Sequence, residues 1–401
     1  MSAAAPEPGA GRLPGRRMLQ VPGPTNVPDR VLAAMAQPTI DHRSPEFAEL
    51  TRGLLDDLRH VFGTDGPVAV YPSSGTGAWE AALVNTLSSA DAVLTVETGH
   101  FAALWADMAR DLGLDVELVP GDWRHGIDPA TIERRLIADS GHRIKAVCAV
   151  HNETSTGVAS SIPDVRAAID RADHPALLLV DTMSSLACMD YRHDQWGVDV
   201  TVAGSQKGLM LPPGLGFNAI STKALEASRT KTLPRSYWDW RKILDSNAGG
   251  FYPYTPATNL LFGLRAALDL LFEEGLPHVF TRHSRHAAAT RAAIEAWGLD
   301  VCAVDPREYS ASLTAVLLPE GHDDAHLRAT IRERYGMALG AGLGKLSGRA
   351  FRIGHLGDFD DLHLAATLSG VEMGLADAGV PHKPGGVTAA LDLLRSTSQN
   401  S

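Results

Sequence analysis

The chain has 401 residues, of which 44% are hydrophobic and 21% are charged, and its formal net charge is −11. This composition is typical of a globular protein with a large core, and the length allows two or three domains. The negative charge argues against nonspecific binding to nucleic acid, and no apolar run approaches the roughly 20 residues that a membrane span needs.

The cysteines and the two chain ends bear on the compartment. Cys148, Cys188 and Cys302 lie far apart in the sequence, which predicts neither a metal site nor a disulfide framework. Residues 1–17 are rich in Ala, Pro, Gly and Arg and lack the apolar segment of a secretory signal, which leaves a flexible arm or a transit peptide. We expect a cytoplasmic protein with a flexible arm over residues 1–20 and a flexible tail over 386–401.

In the first half of the chain, helical and extended patterns alternate. After a rigid proline-rich segment at residues 21–28, apolar spacing predicts helices at 29–35, 45–62, 78–87, 101–112, 129–137 and 162–171. Short apolar runs predict strands at 68–71, 92–96, 116–119, 144–150, 177–180 and 198–203. This alternation predicts an α/β fold with right-handed crossovers and a mostly parallel sheet.

Polar or small residues follow four of these strands, at residues 73–77, 151–157, 181 and 204–208. Because the carboxyl ends of parallel strands meet at one edge of a sheet, we expect the four groups to lie together. Ser74, Gly75 and Thr76 open a helix, so they offer free N–H groups and hydroxyls to an anion. A simple helix N-cap with glycines for the turn explains the same residues.

Lys207 and Asp181 give this edge its chemistry. Lys207 lies in a glycine-flanked turn after one predicted strand, and Asp181 closes an earlier one. The lysine alone is explained equally well as an ordinary surface residue in a loop. An amine and a carboxylate at adjacent strand ends suit pyridoxal phosphate, whose aldehyde takes the lysine and whose pyridinium takes the acid.

The second half of the chain predicts a smaller α+β domain. A strand at 215–221 and an irregular aromatic region at 237–254 precede a long helix at 257–274. Further helices are predicted at 278–297, 324–335 and 359–378, with strands at 301–304 and 312–317. We therefore expect a large domain over residues 21–265 and a small domain over 266–385.

Six motifs in a set order resemble one known family. They are Pro22-Gly23-Pro24-Thr25-Asn26, Ser73-Ser74-Gly75-Thr76-Gly77, His151-Asn152-Glu153-Thr154-Ser155-Thr156-Gly157, Val180-Asp181, Gly204-Ser205-Gln206-Lys207 and Phe351-Arg352-Ile353-Gly354. Their order resembles the class V aminotransferases, and within them the serine–glyoxylate and alanine–glyoxylate aminotransferases, over nearly the whole chain. The resemblance implies the type I fold of pyridoxal-phosphate enzymes and a homodimer whose subunits share their active sites.

The resemblance also implies a role for each matching residue, with no metal. Lys207 would bind pyridoxal 5′-phosphate covalently, and Asp181 would pair with its ring nitrogen. Arg352 and Asn26 would bind the substrate. The remaining cofactor contacts would come from Ser74, Gly75, Thr76, Phe101, Thr154, Met183 and Gln206, with Tyr252 and Thr255 reaching the phosphate in the neighbouring subunit. Phe101 stands where some relatives carry a tryptophan.

The implied reaction moves an amino group from serine or alanine to a 2-oxo acid, glyoxylate or pyruvate, by a ping-pong mechanism. One candidate carboxylate clamp, Arg352, favours small monocarboxylic donors, while Arg241 and Arg349 stay open as a second clamp. A cysteine desulfurase is an alternative, but it needs a mobile cysteine, and residues 340–348 contain none. A non-catalytic protein on the same fold is a further alternative.

Overall fold

The computed structural model describes residues 15–398. Within them the strands are β1 (Met18–Gln20), β2 (Val68–Ser73), β3 (Ala92–Val96), β4 (Asp115–Val119), β5 (Ile144–Val150), β6 (Asn152–Glu153), β7 (Val158–Ala159), β8 (Leu177–Asp181), β9 (Val200–Gly204), β10 (Gly214–Ile220), β11 (Asp300–Val301), β12 (Leu313–Leu317), β13 (Met337–Ala341) and β14 (Ala350–Gly354). The helices are α1 (Asp29–Met35), α2 (Pro45–Phe62), α3 (Gly75–Thr86), α4 (His100–Asp111), α5 (Pro129–Ala138), α6 (Ile162–Arg171), α7 (Thr222–Ser228), α8 (Trp240–Asn247), α9 (Thr258–Glu274), α10 (Leu276–Trp297), α11 (Asp324–Tyr335), α12 (Asp361–Asp377) and α13 (Gly386–Ser398). Residues 1–14 of the expected arm and 399–401 of the expected tail lie outside the described range.

Helix α2 illustrates how local sequence sets an element. The Ser44 hydroxyl accepts a hydrogen bond from the backbone N–H of Phe47 at 3.1 Å, and Gly63 ends the helix in the left-handed conformation at φ 64°. Apolar side chains at helical spacing, such as Leu54 and Leu58, are buried. The predicted helix at residues 45–62 is confirmed.

A seven-stranded sheet in the order β2-β10-β9-β8-β5-β3-β4 carries the candidate site. The neighbours from β9 to β4 run parallel, whereas β10 is antiparallel to both β2 and β9. Every residue of β3, β8 and β9 is buried, because side chains on both faces enter hydrophobic cores. The predicted α/β fold with a mostly parallel sheet is confirmed.

The carboxyl ends of β2, β5, β8 and β9 meet at one edge of this sheet. Strand β10 runs the opposite way and therefore begins at that edge, where Gly214 pairs with Ser73 and Gly216 pairs with Gly204. The polar groups that follow these strands consequently lie together, as expected from the sequence.

A second sheet has the order β1-β13-β14-β12-β11. Strand β1 pairs in parallel with β13, so the expected flexible arm is wrong for residues 18–20, whose backbone groups are satisfied by strand pairing. The flexible tail is wrong for residues 386–398, because α13 packs on α10 and buries Ala390 and Leu394. The expected domain boundary at residue 265 falls inside α9 and stays a prediction.

Besides α13, two further helices lie where none was predicted, α7 and α8. Helix α8 occupies the region expected to be irregular, where the Asp239 carboxylate caps it by accepting from the N–H of Arg241 at 3.1 Å. Trp240 and Ile243 anchor the helix in the core. Among the described residues, no helix is both long and apolar enough to cross a membrane.

Candidate active site

Lys207 lies at the sheet edge just after β9, with 8% of its surface exposed. Its Nζ donates a hydrogen bond to the carbonyl oxygen of Pro22, in the segment that follows β1. Burial, helped by the positive charge of Arg352, lowers the pKa of Lys207 to about 8. The amine therefore has a larger neutral fraction near neutral pH than an exposed lysine has, and the neutral form is the one that a nucleophile or a base requires.

Asp181 ends β8 and is almost completely buried. Its oxygens accept hydrogen bonds from the indole Nε1 of Trp79 at 3.0 Å and from the backbone N–H of Met183 at 2.5 Å. Burial nevertheless raises the pKa of Asp181 to about 7. Lys207 acts on this carboxylate through its charge, but the two side chains form no direct ion pair. A cation placed between them would stabilise the ionised form.

Arg352 lies on β14 and is 8% exposed. Its Nε donates to the carbonyl oxygen of Ala341 and its Nη1 to that of Thr154, both at 2.7 Å. These two carbonyls fix the guanidinium, and no carboxylate of residues 15–398 forms an ion pair with it. Burial lowers the pKa of Arg352 to about 10. A fixed guanidinium of this kind is suited to binding an incoming carboxylate.

Glu153 is fully buried and binds the N-terminus of α4. Its Oε1 accepts from the hydroxyl of Ser155 at 2.7 Å, from the N–H of Ser155 at 3.0 Å and from the N–H of Phe101 at 3.3 Å. Its Oε2 accepts from the N–H of Ala102 at 3.1 Å. These bonds place the Phe101 ring 6.4 Å from the ring of Trp79, the residue that donates to Asp181.

Thr154 is held by a chain of hydroxyl groups. Its Oγ1 donates to the Oγ of Ser184 at 2.7 Å, which donates in turn to the carbonyl oxygen of Asn152 at 3.0 Å. Ser184 follows β8 in the same loop as Asp181 and Met183. Thr154 therefore lies between Arg352 and the end of β8.

The loop at residues 73–77 leads from β2 into α3. The hydroxyl of Ser74 makes no capping hydrogen bond, and Ser74 and Thr76 are exposed. Gly75 lies so close to Met183 that a Cβ at this position would be 1.8 Å from the methionine Cε. The Oε1 of Gln206 is buried and makes no hydrogen bond to any residue that the structure describes.

This arrangement fits pyridoxal 5′-phosphate. The buried carboxylate of Asp181 lacks a cation, which a protonated ring nitrogen would supply. The amine of Lys207 is buried nearby with a lowered pKa, as covalent attachment to an aldehyde requires. The N-terminus of α3, with uncommitted hydroxyls beside it, is suited to the phosphate.

Three predicted site residues are not joined to this cluster. The Asn26 side-chain amide bonds the N–H and the carbonyl oxygen of Leu19 in β1, at 3.4 and 3.0 Å. Tyr252 packs against Phe47, and Thr255 is exposed. Tyr252 and Thr255 line a separate cavity of about 400 Å³. Their roles, and that of Asn26, stay predictions.

Trp79, Glu153 and the Pro22 carbonyl are absent from the predicted site. Glu153 lies inside the polar motif at residues 151–157, so its position after a strand was the available signal. Trp79 is the one large aromatic residue in α3, which otherwise indicates only a buried helix. A backbone carbonyl such as that of Pro22 carries no sequence signal at all.

Comparison with known proteins agrees with this geometry. The family model described as aminotransferase class-V matches residues 18–347. A serine–glyoxylate aminotransferase of Methylorubrum extorquens is 51% identical over 96% of this chain and 98% of that protein. An L-aspartate–glyoxylate aminotransferase of Paracoccus denitrificans is 47% identical over 94% of this chain and 96% of that protein.

Solved structures show the same relationship. The crystal structure of ureidoglycine–glyoxylate aminotransferase from Bacillus subtilis matches with a TM-score of 0.89 and 27% identity, over 96% of this chain and 99% of that one. The type I fold expected from the sequence is thereby confirmed. The chain belongs to the class V aminotransferases, and its cofactor is pyridoxal 5′-phosphate.

Proposed function

We propose that this chain transfers the amino group of a small L-amino acid to glyoxylate. One observation carries the proposal: Lys207, Asp181 and Arg352 are buried, charged and incompletely partnered at one site. The amine has a lowered pKa, the carboxylate lacks a cation, and the guanidinium lacks a carboxylate. These are the groups needed to hold a cofactor aldehyde, its ring nitrogen and an amino acid.

When bound, pyridoxal 5′-phosphate supplies a carbonyl group and a ring that accepts electrons. Lys207 would hold the cofactor, release it to the amine of the donor, and then act as the base that takes the proton from the donor Cα. Asp181 would keep a proton on the ring nitrogen. Arg352 would bind the donor α-carboxylate in one orientation. The donor would react and leave as a 2-oxo acid before glyoxylate binds.

The other predicted contacts complete the proposed cofactor site. Ser74, Gly75 and Thr76, with Gln206, would hold the phosphate at the N-terminus of α3. The ring would lie between Met183 and Phe101, with Thr154 beside the ring hydroxyl. Support comes from the packing of Gly75 on Met183 and from the anchoring of Phe101 and Thr154.

The donor we propose is L-serine, closely followed by L-alanine. The two other arginines that could bind a carboxylate differ from Arg352. Arg241 forms an ion pair with Asp239 at 3.4 Å, and Arg349 is exposed. With Arg352 as the one clamp, a second carboxylate on the donor would be buried unpaired, at a cost of several kcal/mol. A serine–glyoxylate relative at 51% identity supports this choice, while the aspartate–glyoxylate relative makes aspartate the competitor to test.

A cysteine desulfurase is disfavoured by the state of the thiols. Cys148, Cys188 and Cys302 are buried, and burial raises the pKa of Cys302 to about 11 and that of each of the other two to about 12. A nucleophilic cysteine needs an accessible thiol with a lowered pKa. Buried reduced cysteines also suit the cytoplasm, which we propose as the compartment.

We further propose that two copies assemble and share their sites. In their own chain, Tyr252 and Thr255 line a cavity together with His42 and Arg43, and Lys207 is not among its lining residues. In the proposed dimer they would face the phosphate in the other subunit. A Lys207→Ala chain mixed with a Tyr252→Phe/Thr255→Ala chain should then recover activity that neither has alone, provided that subunits exchange. If subunits are shown to exchange and no activity returns, Tyr252 and Thr255 act within their own subunit.

The reaction itself is tested by half-reactions of the purified enzyme. Borohydride reduction should fix the cofactor on Lys207, as located by mass spectrometry. Serine, alanine, aspartate and glutamate are then added separately, and the loss of the cofactor's visible absorbance is followed before glyoxylate is added to restore it. Serine and alanine should react fastest. Faster reaction with aspartate would overturn the single-clamp argument, and failure of glyoxylate to restore absorbance would overturn the proposed acceptor.

A further inference from the structure

The segment at residues 21–25 lies directly on Lys207. Pro22 accepts the hydrogen bond from the lysine Nζ, and Thr25 donates from its hydroxyl to the Lys207 carbonyl oxygen at 3.3 Å. The N–H of Thr25 also donates to the carbonyl oxygen of Gln206 at 3.2 Å. The segment is thus bonded to the lysine at both its side chain and its backbone.

Gly23 makes this contact possible. A Cβ on Gly23 would lie 2.3, 2.5 and 2.6 Å from the Cδ, Cε and Nζ of Lys207, well inside van der Waals contact. Any side chain at this position would push the end of the lysine away from the Pro22 carbonyl. The residue also has φ 92°, a conformation that favours glycine.

The same segment is anchored in the second sheet. Residues 18–20 form β1, which pairs with β13, and the Pro22 ring packs over Gly340 of β13. Gly340 is paired with Arg352 across the sheet. The carbonyl that receives the amine is therefore held by the strands that hold the carboxylate clamp.

We propose that the Pro22 carbonyl, left open by the missing side chain of Gly23, is the resting position of the Lys207 amine when it is neither joined to the cofactor nor taking the proton from the donor Cα. The inference rests on the proposed role of Lys207. In each half-reaction the donor would displace this amine from the cofactor, and the Pro22 carbonyl would then keep it inside the buried site. Residues 21–25 are on this account a positioning segment.

The test is the rate at which Lys207 of the cofactor-free enzyme joins covalently to added pyridoxal 5′-phosphate. Joining forms a C=N bond between Nζ and the aldehyde carbon and releases the carbonyl oxygen as water with both amine hydrogens. The rate is followed by absorbance, and the product is reduced with borohydride and located by mass spectrometry. We expect Gly23→Ala to join at least about tenfold more slowly than the native enzyme (~1.4 kcal/mol).

Gly275→Ala is the matched control. Gly275 has φ 84°, close to that of Gly23, but its nearest neighbour to a Cβ would be His278 at an ordinary 3.5 Å. Both variants should lose similar thermal stability from backbone strain, and only Gly23→Ala should join slowly. Joining at the native rate in Gly23→Ala would overturn the inference.

A second variant serves if Gly23→Ala does not fold. Thr25→Val removes the hydroxyl that bonds the Lys207 backbone and introduces no strain, so it should slow joining severalfold, whereas the native rate would overturn the inference. Failure of the native enzyme to form an adduct at Lys207 would instead overturn the proposed function.

Discussion

Two buried carboxylates at the same sheet edge, Glu153 and Asp181, have opposite surroundings. Four donors converge on Glu153, all from the start of α4 and from Ser155. Asp181 receives two donors, and burial raises its pKa to about 7. One charge is satisfied by the fold, whereas the other is left for a cation that the fold does not provide.

The difference separates a structural acid from a functional one. A carboxylate at a helix N-terminus is stabilised by the backbone N–H groups that it accepts from, whatever else binds nearby. A buried carboxylate without enough partners destabilises the native protein unless a ligand compensates. Glu153 should therefore matter chiefly for stability, and Asp181 chiefly for cofactor chemistry. Four predictions, made on three substitutions, test this division.

The largest expected effect comes from Asp181→Asn. The variant keeps the shape of the side chain but loses the charge that holds the ring-nitrogen proton. Turnover should fall by about a thousandfold (~4 kcal/mol), measured as kcat with serine and glyoxylate. A loss below about tenfold (~1.4 kcal/mol) would mean that Asp181 is a structural residue like Glu153.

Glu153→Gln should act on the free energy of unfolding. The amide presents only one acceptor oxygen, so its NH₂ group faces N–H donors that lose their partner. The free energy of unfolding should fall by about 3 kcal/mol, at roughly 1–3 kcal/mol for each unsatisfied donor. Glu46→Gln is the matched control, since Glu46 lies exposed in the first turn of α2 and should change stability little. Equal losses in both variants would remove the special role of Glu153.

In the cofactor-free protein, Asp181→Asn should have the opposite effect and stabilise the fold at high pH. The native pKa of about 7 lies above the unfolded value of 3.8, so the native state binds the proton more tightly. The stability this contributes is fully present below pH 3.8 and is lost as pH rises to about 7. Above pH 7 the Asn variant should be more stable by about 2 kcal/mol, after its lost hydrogen bond is subtracted. Denaturant unfolding at pH 5 and 8 measures the difference, and a less stable variant at pH 8 would contradict it.

Trp79→Phe should have the smallest effect. It removes the indole donor from Asp181 and keeps the ring stacked on Trp105, whose centroid is 5.8 Å away. The pKa of Asp181 should rise further, so the acidic limb of kcat/KM should move to higher pH, with a loss of about tenfold at pH 7 (~1.5 kcal/mol). Trp105→Phe is the control, because the buried Nε1 of Trp105 has no partner in the part of the chain described. The same pH shift in both variants would assign it to packing.

The strand-end chemistry could be predicted because it follows local patterns. Asp181 and Lys207 each come after a run of apolar residues, and parallel topology brings such ends together. Most helices, such as α2 and α6, begin and end where their caps and apolar spacing predict. The antiparallel course of β10 was not predictable in this way, since its pattern matches that of a parallel strand.

The parts of the fold and of the site that could not be predicted depend on contacts between residues that are distant in the sequence. Trp79 and Asp181 are 102 positions apart in the sequence, and nothing in the sequence of α3 indicates a hydrogen bond between them. Strand β1 is only three residues long. It exists because it pairs with β13, which lies more than 300 residues later in the chain. Helix α13 is stabilised by its packing on α10, which a tail-like composition conceals.

The pairing of β1 with β13 also sets the order in which the protein can be completed during synthesis. The segment that contacts Lys207 leaves the ribosome early, but its anchor at residues 337–339 is among the last strands to be made. Until then the segment lacks the strand that anchors it, and Arg352 has not yet been added to the chain. Nascent or truncated chains that end before β13 should therefore bury much of the central sheet while lacking a complete site.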